Sequence, residues 1–499
     1  MKLSLEGHDY RYAVEQIMLA LFPEERPDYE FGVDEDPGGL SARSRLAQGG
    51  ASYVQAITVL RRGDEISRGA ARVKRERLTD KPITDRLLQR IIKQSFYRAA
   101  VRFLDSPPVW GSLTGIRPAK LAEAELETGA SREKTEKTLT REYYVSRERA
   151  RMCTDAALVS LKVKESLLPG DIALYVGIPF CPTRCAYCSF VSNSIEKSFG
   201  LMEPFAQALM REIEMAAESV RRLDLRVIAV YIGGGTPTAL PAGDLEKIML
   251  ALRTSFDLSF AREYTVEAGR PDTVTQEKLE IMRRLGADRV CVNPQSMSFK
   301  VLTAIGRKHT PEDVIKAVRL VRDCGAALNM DVIAGLPEDT PESFFRTLDA
   351  VLSLKPENIT IHTLSLKKGS RIMQSGVNIP CGSDVSEMLG YASRRLRERG
   401  YGPYYLYRQK FISGGFENTG WSLPGFEGIY NICMMEEHNT VLALGGGGVT
   451  KLVSAGGRIE RIFNAKYPRE YIMQTDKPAS KFKQIEKFIS AEEHHAISI

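Results

Sequence analysis

The sequence predicts an α/β protein: an incomplete (β/α)6 barrel over 171–380, between an N-terminal α+β domain over 1–170 and a C-terminal α+β domain over 381–499. Three observations predict it. Short β-branched runs alternate with amphipathic helical patterns only after Gly170. That alternation yields six units over roughly 200 residues, where a full eight-unit barrel takes about 250. Both flanks lack the rhythm. Periodicity alone leaves a doubly wound parallel sheet as an alternative.

In the N-terminal region, 12–21 has helical spacing and 52–60 alternates as a strand does. Asp80-Lys81-Pro82 opens a helix, because proline fits the first turn, where its missing N–H is not needed. The stretch 110–120 (WGSLTGIRPAK) predicts a loop running into a helix, and 131–168 predicts charged helix. Strands follow at 172–178, 226–232, 263–267, 289–292, 329–333 and 358–363. Helices are expected near 201–219, 241–254, 275–285, 298–305 and 341–354. Beyond 380 the pattern breaks. A helix over 383–400 stops at Gly400, an aromatic and glycine-rich region follows, and 441–448 is an apolar strand with four glycines.

The chain of 499 residues is 43% hydrophobic and 26% charged, which suits a packed core with a charged surface. A net charge of +6 suits nucleic acid or a smaller polyanion. The segment 61–98 holds twelve Lys/Arg against five Asp/Glu, an attractive surface for carboxylates or a solvated face. Met1 leads into charged residues, and no run approaches the ~18 apolar residues of a membrane span. A cytoplasmic protein without a membrane span is expected. Eight cysteines are too sparse for a disulfide scaffold.

Three of the eight fall together. Cys181, Cys185 and Cys188 form C-x3-C-x2-C directly after the first barrel strand, where a barrel's chemistry sits. Thiolates are soft ligands suited to iron–sulfur clusters or zinc. Three can hold a cubane and leave its fourth iron open to the amine and carboxylate of a methionyl group. Structural zinc wants a fourth ligand close by, usually in a second short-spaced pair. The next Cys or His residues along the chain are Cys153 and then Cys291, which makes zinc the weaker alternative. One strand later comes Gly233-Gly234-Gly235-Thr236-Pro237, a turn able to bring bare backbone against a ligand or merely to turn tightly. Glu267 ends the third strand, Gln295 follows the fourth, Arg307 lies twelve residues on, and Asp331 and Ile333 sit on the fifth. By themselves Arg307 and Asp331 read equally well as ordinary ion-pair residues, and Tyr175 as core packing.

The three-cysteine spacing, with the aromatic Tyr187 before the third Cys, resembles the motif of the radical S-adenosylmethionine superfamily. The string YVGIPFCPTRCAYCSF over 175–190 resembles its oxygen-independent coproporphyrinogen III oxidase branch. The stretches 110–120 and 403–418 (PYYLYRQKFISGGFEN), with the chain length, resemble the HemZ-like coproporphyrinogen dehydrogenase subgroup.

The resemblance implies a radical-SAM barrel with a [4Fe–4S] cluster on Cys181, Cys185 and Cys188. It implies S-adenosyl-L-methionine held by Tyr175, Tyr187, Gly234, Gly235, Thr236, Glu267, Gln295, Arg307, Asp331 and Ile333. Within that set it has Arg307 on the methionyl carboxylate, Ile333 beside adenine, and Tyr175 with the three cysteines in the catalytic group. One electron from a donor such as flavodoxin or ferredoxin would start cleavage to a 5′-deoxyadenosyl radical. That radical would take a β-hydrogen from a propionate, and loss of an electron and carbon dioxide would leave a vinyl group. The implied reaction is oxidative decarboxylation of coproporphyrinogen III to protoporphyrinogen IX in haem biosynthesis. The N-terminal region is then a candidate for substrate contact and 381–499 for covering the substrate, with Arg117 and Arg408 as candidate carboxylate contacts. Stable nucleic-acid binding is not expected. Nearby branches supply the alternatives, a haem-binding chaperone or a haem-modifying radical-SAM methyltransferase. The sequence departs from the family pattern two residues after Tyr175, where histidine is usual and this chain has Gly177.

Overall fold

The computed structural model describes residues 1–29, 39–47, 52–188, 193–365, 378–409, 415–454, 456–474 and 477–496. The chain divides into two compact units: Met1–Thr154 with a short piece around Arg408, and Asp155–Tyr407 with Glu417–Ile499.

In the first unit, β1 (Lys2–Glu6), β2 (Leu40–Ala47), β3 (Tyr53–Arg62) and β4 (Glu65–Lys74) pair in that order. The pairing is parallel for β1 with β2 and antiparallel for the rest. Alternate residues of β3 and β4, including Val54, Ala56, Leu60, Ala71 and Val73, are buried. They pack with Ile17 and Met18 of α1 (Arg11–Leu21) and with Ile91, Ile92 and Phe96 of α2 (Lys81–Ala100). The expected start of α2 is present. Asp80 accepts from the Ile83 N–H at 2.8 Å, with Pro82 in the first turn. The 131–168 stretch is two helices, α4 (Arg132–Glu142) and α5 (Arg147–Glu165), after α3 (Ala119–Glu127).

The second unit is built on six parallel strands: β5 (Asp171–Ile178), β6 (Arg226–Gly234), β7 (Glu263–Glu267), β8 (Arg289–Cys291), β9 (Ala327–Ala334) and β10 (Asn358–Thr363). Each pairs with the next in chain order. A doubly wound sheet reverses its strand order at a switch point; these six do not, which is the order of a partial barrel. The longer helices between them are α6 (Met202–Arg222), α7 (Ala242–Ser255), α8 (Gln276–Arg284), α9 (Phe299–Ala304), α10 (Pro311–Asp323) and α11 (Pro341–Ser353). The periodicity pointed to one helix after β8, but there are two. The start of α10 is a full capping box, with Thr310 accepting from the Asp313 N–H and the Asp313 carboxylate accepting from the Thr310 N–H. Thr310-Pro311-Glu312-Asp313 was the signal for it.

After α12 (Gly382–Glu398), β11 (Gly402–Arg408) and β12 (Glu417–Ser422) extend the sheet beyond β10, with β12 antiparallel to β10. After α13 (Ile429–Glu436), β13 (Thr440–Gly445) joins the opposite edge, parallel to β5, and β14 (Val449–Val453) and β15 (Ile459–Phe463) follow it. The stretch 381–499 thus shares hydrogen-bonded edges with both ends of the six-strand sheet. No helix among the described residues is long and apolar enough to cross a membrane.

Candidate active site

Two loops at the C-terminal ends of β5 and β6 lace together. The Gly235 N–H donates to the Ile178 carbonyl at 2.8 Å, and the Thr236 N–H to the Phe180 carbonyl at 2.7 Å. Cys181 Sγ lies 3.5 Å from Thr236 Oγ1. A Cβ on Gly235 would stand 2.4 Å from the Phe180 carbonyl oxygen and 3.0 Å from Cys181 Sγ, and Gly234 has φ +107°. Glycine is therefore required here for close approach, beyond making the turn. In the cysteine loop, the Cys188 N–H donates to the Cys185 carbonyl at 3.2 Å, and the Ala186 N–H to the Ile305 carbonyl at 3.1 Å. Ser189 and Phe190, the end of the family-like string, lie outside the described residues, as do 410–414 of the 403–418 stretch.

Tyr175 serves the core and borders the glycine turn. Its ring stacks near those of Tyr231 and Tyr430, at 6.4 and 5.9 Å between centroids. Its hydroxyl oxygen is 3.4 Å from where a Gly234 Cβ would be. Burial pushes its phenol above the ordinary tyrosine value. Glu267 accepts from the Tyr231 hydroxyl at 2.5 Å. Burial pushes its carboxyl up to about 7, against the pull of that hydrogen bond and with help from Asp331.

Because Glu267 is raised from 4.5 to about 7, the native state keeps a proton that the unfolded chain has released between those values. Its contribution to stability therefore falls as pH rises through that window. Glu267→Gln is expected to gain roughly 2–3 kcal/mol relative to wild type between pH 4.5 and 8 in cofactor-free protein. Urea midpoints at the two pH values measure this, and parallel pH dependence of the two proteins would disprove it.

The other predicted residues gather beside these. Gln295 holds φ +64°, pinned by its N–H donating to the Asp331 carbonyl and its own carbonyl accepting from the Ile333 N–H, each at 3.0 Å. A left-handed backbone at a non-glycine residue is held only where the surroundings enforce it. Gln295 Oε1 is buried without a partner among the described residues, an acceptor aimed at something the chain does not supply. Arg307 is 8% exposed. It donates to the Asn293 carbonyl at 2.5 Å, the Gly269 carbonyl at 3.3 Å and the Tyr187 hydroxyl at 3.2 Å. Its Nε is also buried without a partner among the described residues.

Burial pushes Asp331 up, but hydrogen bonds from His362, Asn329 and Thr360 outweigh it and hold the carboxyl below its ordinary value. His362 Nε2 stands 3.5 Å from Asp331 Oδ2. Ile333 packs in an apolar group with Tyr187, Leu302, Ile305 and Leu336. Sequence reasoning missed Tyr231, Tyr430, Asn293 and His362. Each belongs to the site through strand register or a distant helix, which no local pattern announces.

Gly177 has a steric explanation. A Cβ there would meet the Gly446 carbonyl oxygen at 2.6 Å, and the Gly446 N–H donates to the Gly177 carbonyl at 3.0 Å. The backbone after β13 fills the space a histidine side chain would need. Arg408 is committed to the 110–117 loop. Its N–H donates to the Ile116 carbonyl at 2.7 Å, its Nη1 donates to the Leu113 carbonyl, and its guanidinium lies over the Trp110 ring. Trp110 is buried and Arg117 half-buried. Of the basic 61–98 segment, Arg68, Arg72 and Lys74 are exposed on β4. Arg90 pairs with Glu142, and Lys93 donates to Gln16 and Thr114.

Among the described residues no three Cys, His, Asp or Glu side chains converge as ligands of a single ion would. The donor set does fit a cubane: three thiols of one loop, beside a glycine cradle and guanidinium groups suited to an anionic cluster. The unpartnered Gln295 oxygen and Arg307 Nε fit a polar, charged ligand next to it.

Residues 175–351 match the family model described as the radical SAM superfamily. The chain is 39% identical over 369 residues to the oxygen-independent coproporphyrinogen-III oxidase-like protein HemZ of Bacillus subtilis, covering 72% of this chain and 74% of that protein. It is 30% identical over 261 residues to the heme chaperone HemW of B. subtilis, covering 50% of this chain and 66% of that one. The structure of coproporphyrinogen III oxidase (HemN) from Escherichia coli superposes with a TM-score of 0.50 at 22% identity, over 64% of this chain and 72% of that one, which supports the fold. The chain therefore belongs to the radical SAM superfamily, in the family of the oxygen-independent coproporphyrinogen-III oxidase-like HemZ, and its cofactors are a [4Fe–4S] cluster and S-adenosylmethionine.

Proposed function

We propose that the chain carries out oxygen-independent oxidative decarboxylation of coproporphyrinogen III to protoporphyrinogen IX. The observations that carry this reading are the contacts of Cys181 and Glu267 with the glycine turn, and of Asp331 with Gln295 and, through Asn293, with Arg307, in a chain 39% identical to the HemZ oxidase-like protein. Cys181, Cys185 and Cys188 hold the cluster, and the turn at Gly234–Gly235 offers backbone to the methionyl ammonium. Arg307 meets the methionyl carboxylate through its Nε, left unpartnered among the described residues. Glu267 and Asp331 accept from the ligand's hydroxyl or ammonium groups, the first oriented by Tyr231 and the second by His362. Ile333 gives adenine an apolar wall beside Tyr187. When bound, the cofactor pair supplies hydrogen-atom abstraction by one-electron cleavage of the sulfonium. The protein's part is position and exclusion of water.

The relation to heme chaperones gives a second reading, in which the chain binds haem without turning over a porphyrinogen. Anaerobic incubation with S-adenosylmethionine, a low-potential reductant and coproporphyrinogen III separates the two. The expected products are 5′-deoxyadenosine, carbon dioxide and a decarboxylated porphyrinogen. Cofactor cleavage without decarboxylation would reject the substrate, and tight haem binding with coproporphyrinogen untouched would favour the chaperone.

A further inference from the structure

Arg270 is three residues past Glu267, in the loop after β7, and only 2% exposed. Burying a guanidinium is costly unless its donors are used, and all three of its nitrogens point at named groups. Nε donates to Asp272 Oδ1 at 3.2 Å, and Nη2 to Asp272 Oδ2 at 3.5 Å. This two-pronged pairing fixes the plane of the group. Nη1 is thereby turned toward the cysteine loop, where it donates to Thr183 Oγ1 at 3.0 Å and stands 3.8 Å from Cys185 Sγ. The positive edge of an oriented ion pair therefore faces the sulfur, with the carboxylate behind it.

A neighbouring side chain, His309, lies close to the same charges. His309 is 1% exposed, with both ring nitrogens buried and unpartnered among the described residues. Burial, then the charges of Arg307 and Arg270, hold it down to about 4. The imidazole therefore stays neutral and does not add to or cancel the arginine charge.

We propose that Arg270 is a positioning residue that makes the cluster easier to reduce, by placing an Asp272-oriented positive charge on the sulfur of Cys185. The inference rests on the reading that Cys185 is a cluster ligand. Reduction adds one electron, supplied by an external low-potential donor, so the cluster becomes more negative. A cation beside a ligating sulfur stabilises that state over the oxidised one, and an anion opposes it. Arg270 and Asp272 should thus act with opposite signs, a pattern that loss of folding or loss of cluster does not produce.

The test is an anaerobic redox titration of the full-length, reconstituted chain without S-adenosylmethionine, followed by the low-temperature EPR signal of the reduced cluster. Iron content is measured in parallel. Arg270→Gln is expected to lower the equilibrium constant for reduction on the order of tenfold, which is about 59 mV for one electron. Asp272→Asn is expected to raise it, and Arg270→Lys to stay nearer wild type than Arg270→Gln. If Arg270→Gln loses the cluster, Asp272→Asn against wild type decides alone, and no rise overturns the proposal. Equal potentials in all the proteins also overturn it, as do shifts of one sign in both variants. So does a weaker affinity for S-adenosylmethionine at unchanged potential, which would place Arg270 on the cofactor instead. A wild-type chain with no EPR-active cluster would fail the underlying assignment of Cys185, an outcome separate from these.

Discussion

Cys185→Ala is expected to leave the chain folded, to strip the reconstituted protein of its iron–sulfur absorbance, and to reduce 5′-deoxyadenosine formation to background. The effect is all-or-none because three thiolates leave no surplus. With two, a cubane has two open corners and no protein ligand to fill the second. Cys181 and Cys188 should behave the same way. The fold should survive because the loop is tied to the rest of the unit by backbone bonds that the substitution leaves in place. These are the Ala186 N–H to the Ile305 carbonyl, the Cys188 N–H to the Cys185 carbonyl, and the two bonds from Gly235 and Thr236. Cys185 is half-buried, so truncation to alanine removes little packing. Iron and sulfide analysis, far-UV circular dichroism and a quenched cleavage assay on the same preparation measure the three parts. A variant that keeps its cluster and its cleavage rate would remove the cysteine loop from the chemistry.

Gly177→Ala is expected to destabilise the chain, and Gly177→His to do so more strongly. An ideal Cβ sits 2.6 Å from the Gly446 carbonyl oxygen, a backbone atom that cannot swing aside as a side-chain tip can. Relief requires β13 to move away from β5. That strand is paired with β5 in parallel from Thr440↔Ile172 to Gly445↔Gly177, so the strain falls on the end of a six-residue ladder. Gly445 is as constrained: its φ is +80°, and a Cβ there would meet the Gly177 carbonyl oxygen at 2.3 Å.

The Gly445 N–H is also held, donating to Glu212 at 2.8 Å. Glu212 is itself buried against Lys481 Nζ at 2.9 Å, Asn464 and Tyr471. This network anchors the turn and removes the easy route of escape. Overpacking of this kind costs about 1–3 kcal/mol and more where backbone must shift. Thermal or urea unfolding measures the loss. A Gly177→His protein of wild-type stability would show that the strand edge can open and that an imidazole is sterically allowed here.

The site was legible where its chemistry is local. Cys181, Cys185 and Cys188 lie within eight positions, so their grouping needed no fold. The glycine triplet and the strand-end residue Glu267 stood at positions that a β/α rhythm marks as active-site ends. Resemblance then supplied roles that spacing could not. Arg307 and Asp331 needed it most, since each reads equally well as an ordinary ion-pair residue. Arg408 shows what spacing cannot see. Its aromatic surroundings suggested a ligand contact; its Nε and Nη1 donate to the Gly415 and Leu113 carbonyls, and its backbone N–H to the Ile116 carbonyl.

By itself the sequence determined the six β/α units, the helix caps such as Asp80 and the three-thiol loop, because each follows from spacing within a few turns of chain. Only the tertiary structure decided that the strands run in unreversed order and that both sheet edges are extended from the 381–499 stretch. It also decided that Arg270 faces Cys185 and that the Gly446 carbonyl stands against any side chain at Gly177. These depend on strand register and on backbone approach between segments far apart in the chain. A one-residue slip would turn every such side chain to the other face of its strand, and no local pattern encodes which distant carbonyl will arrive there.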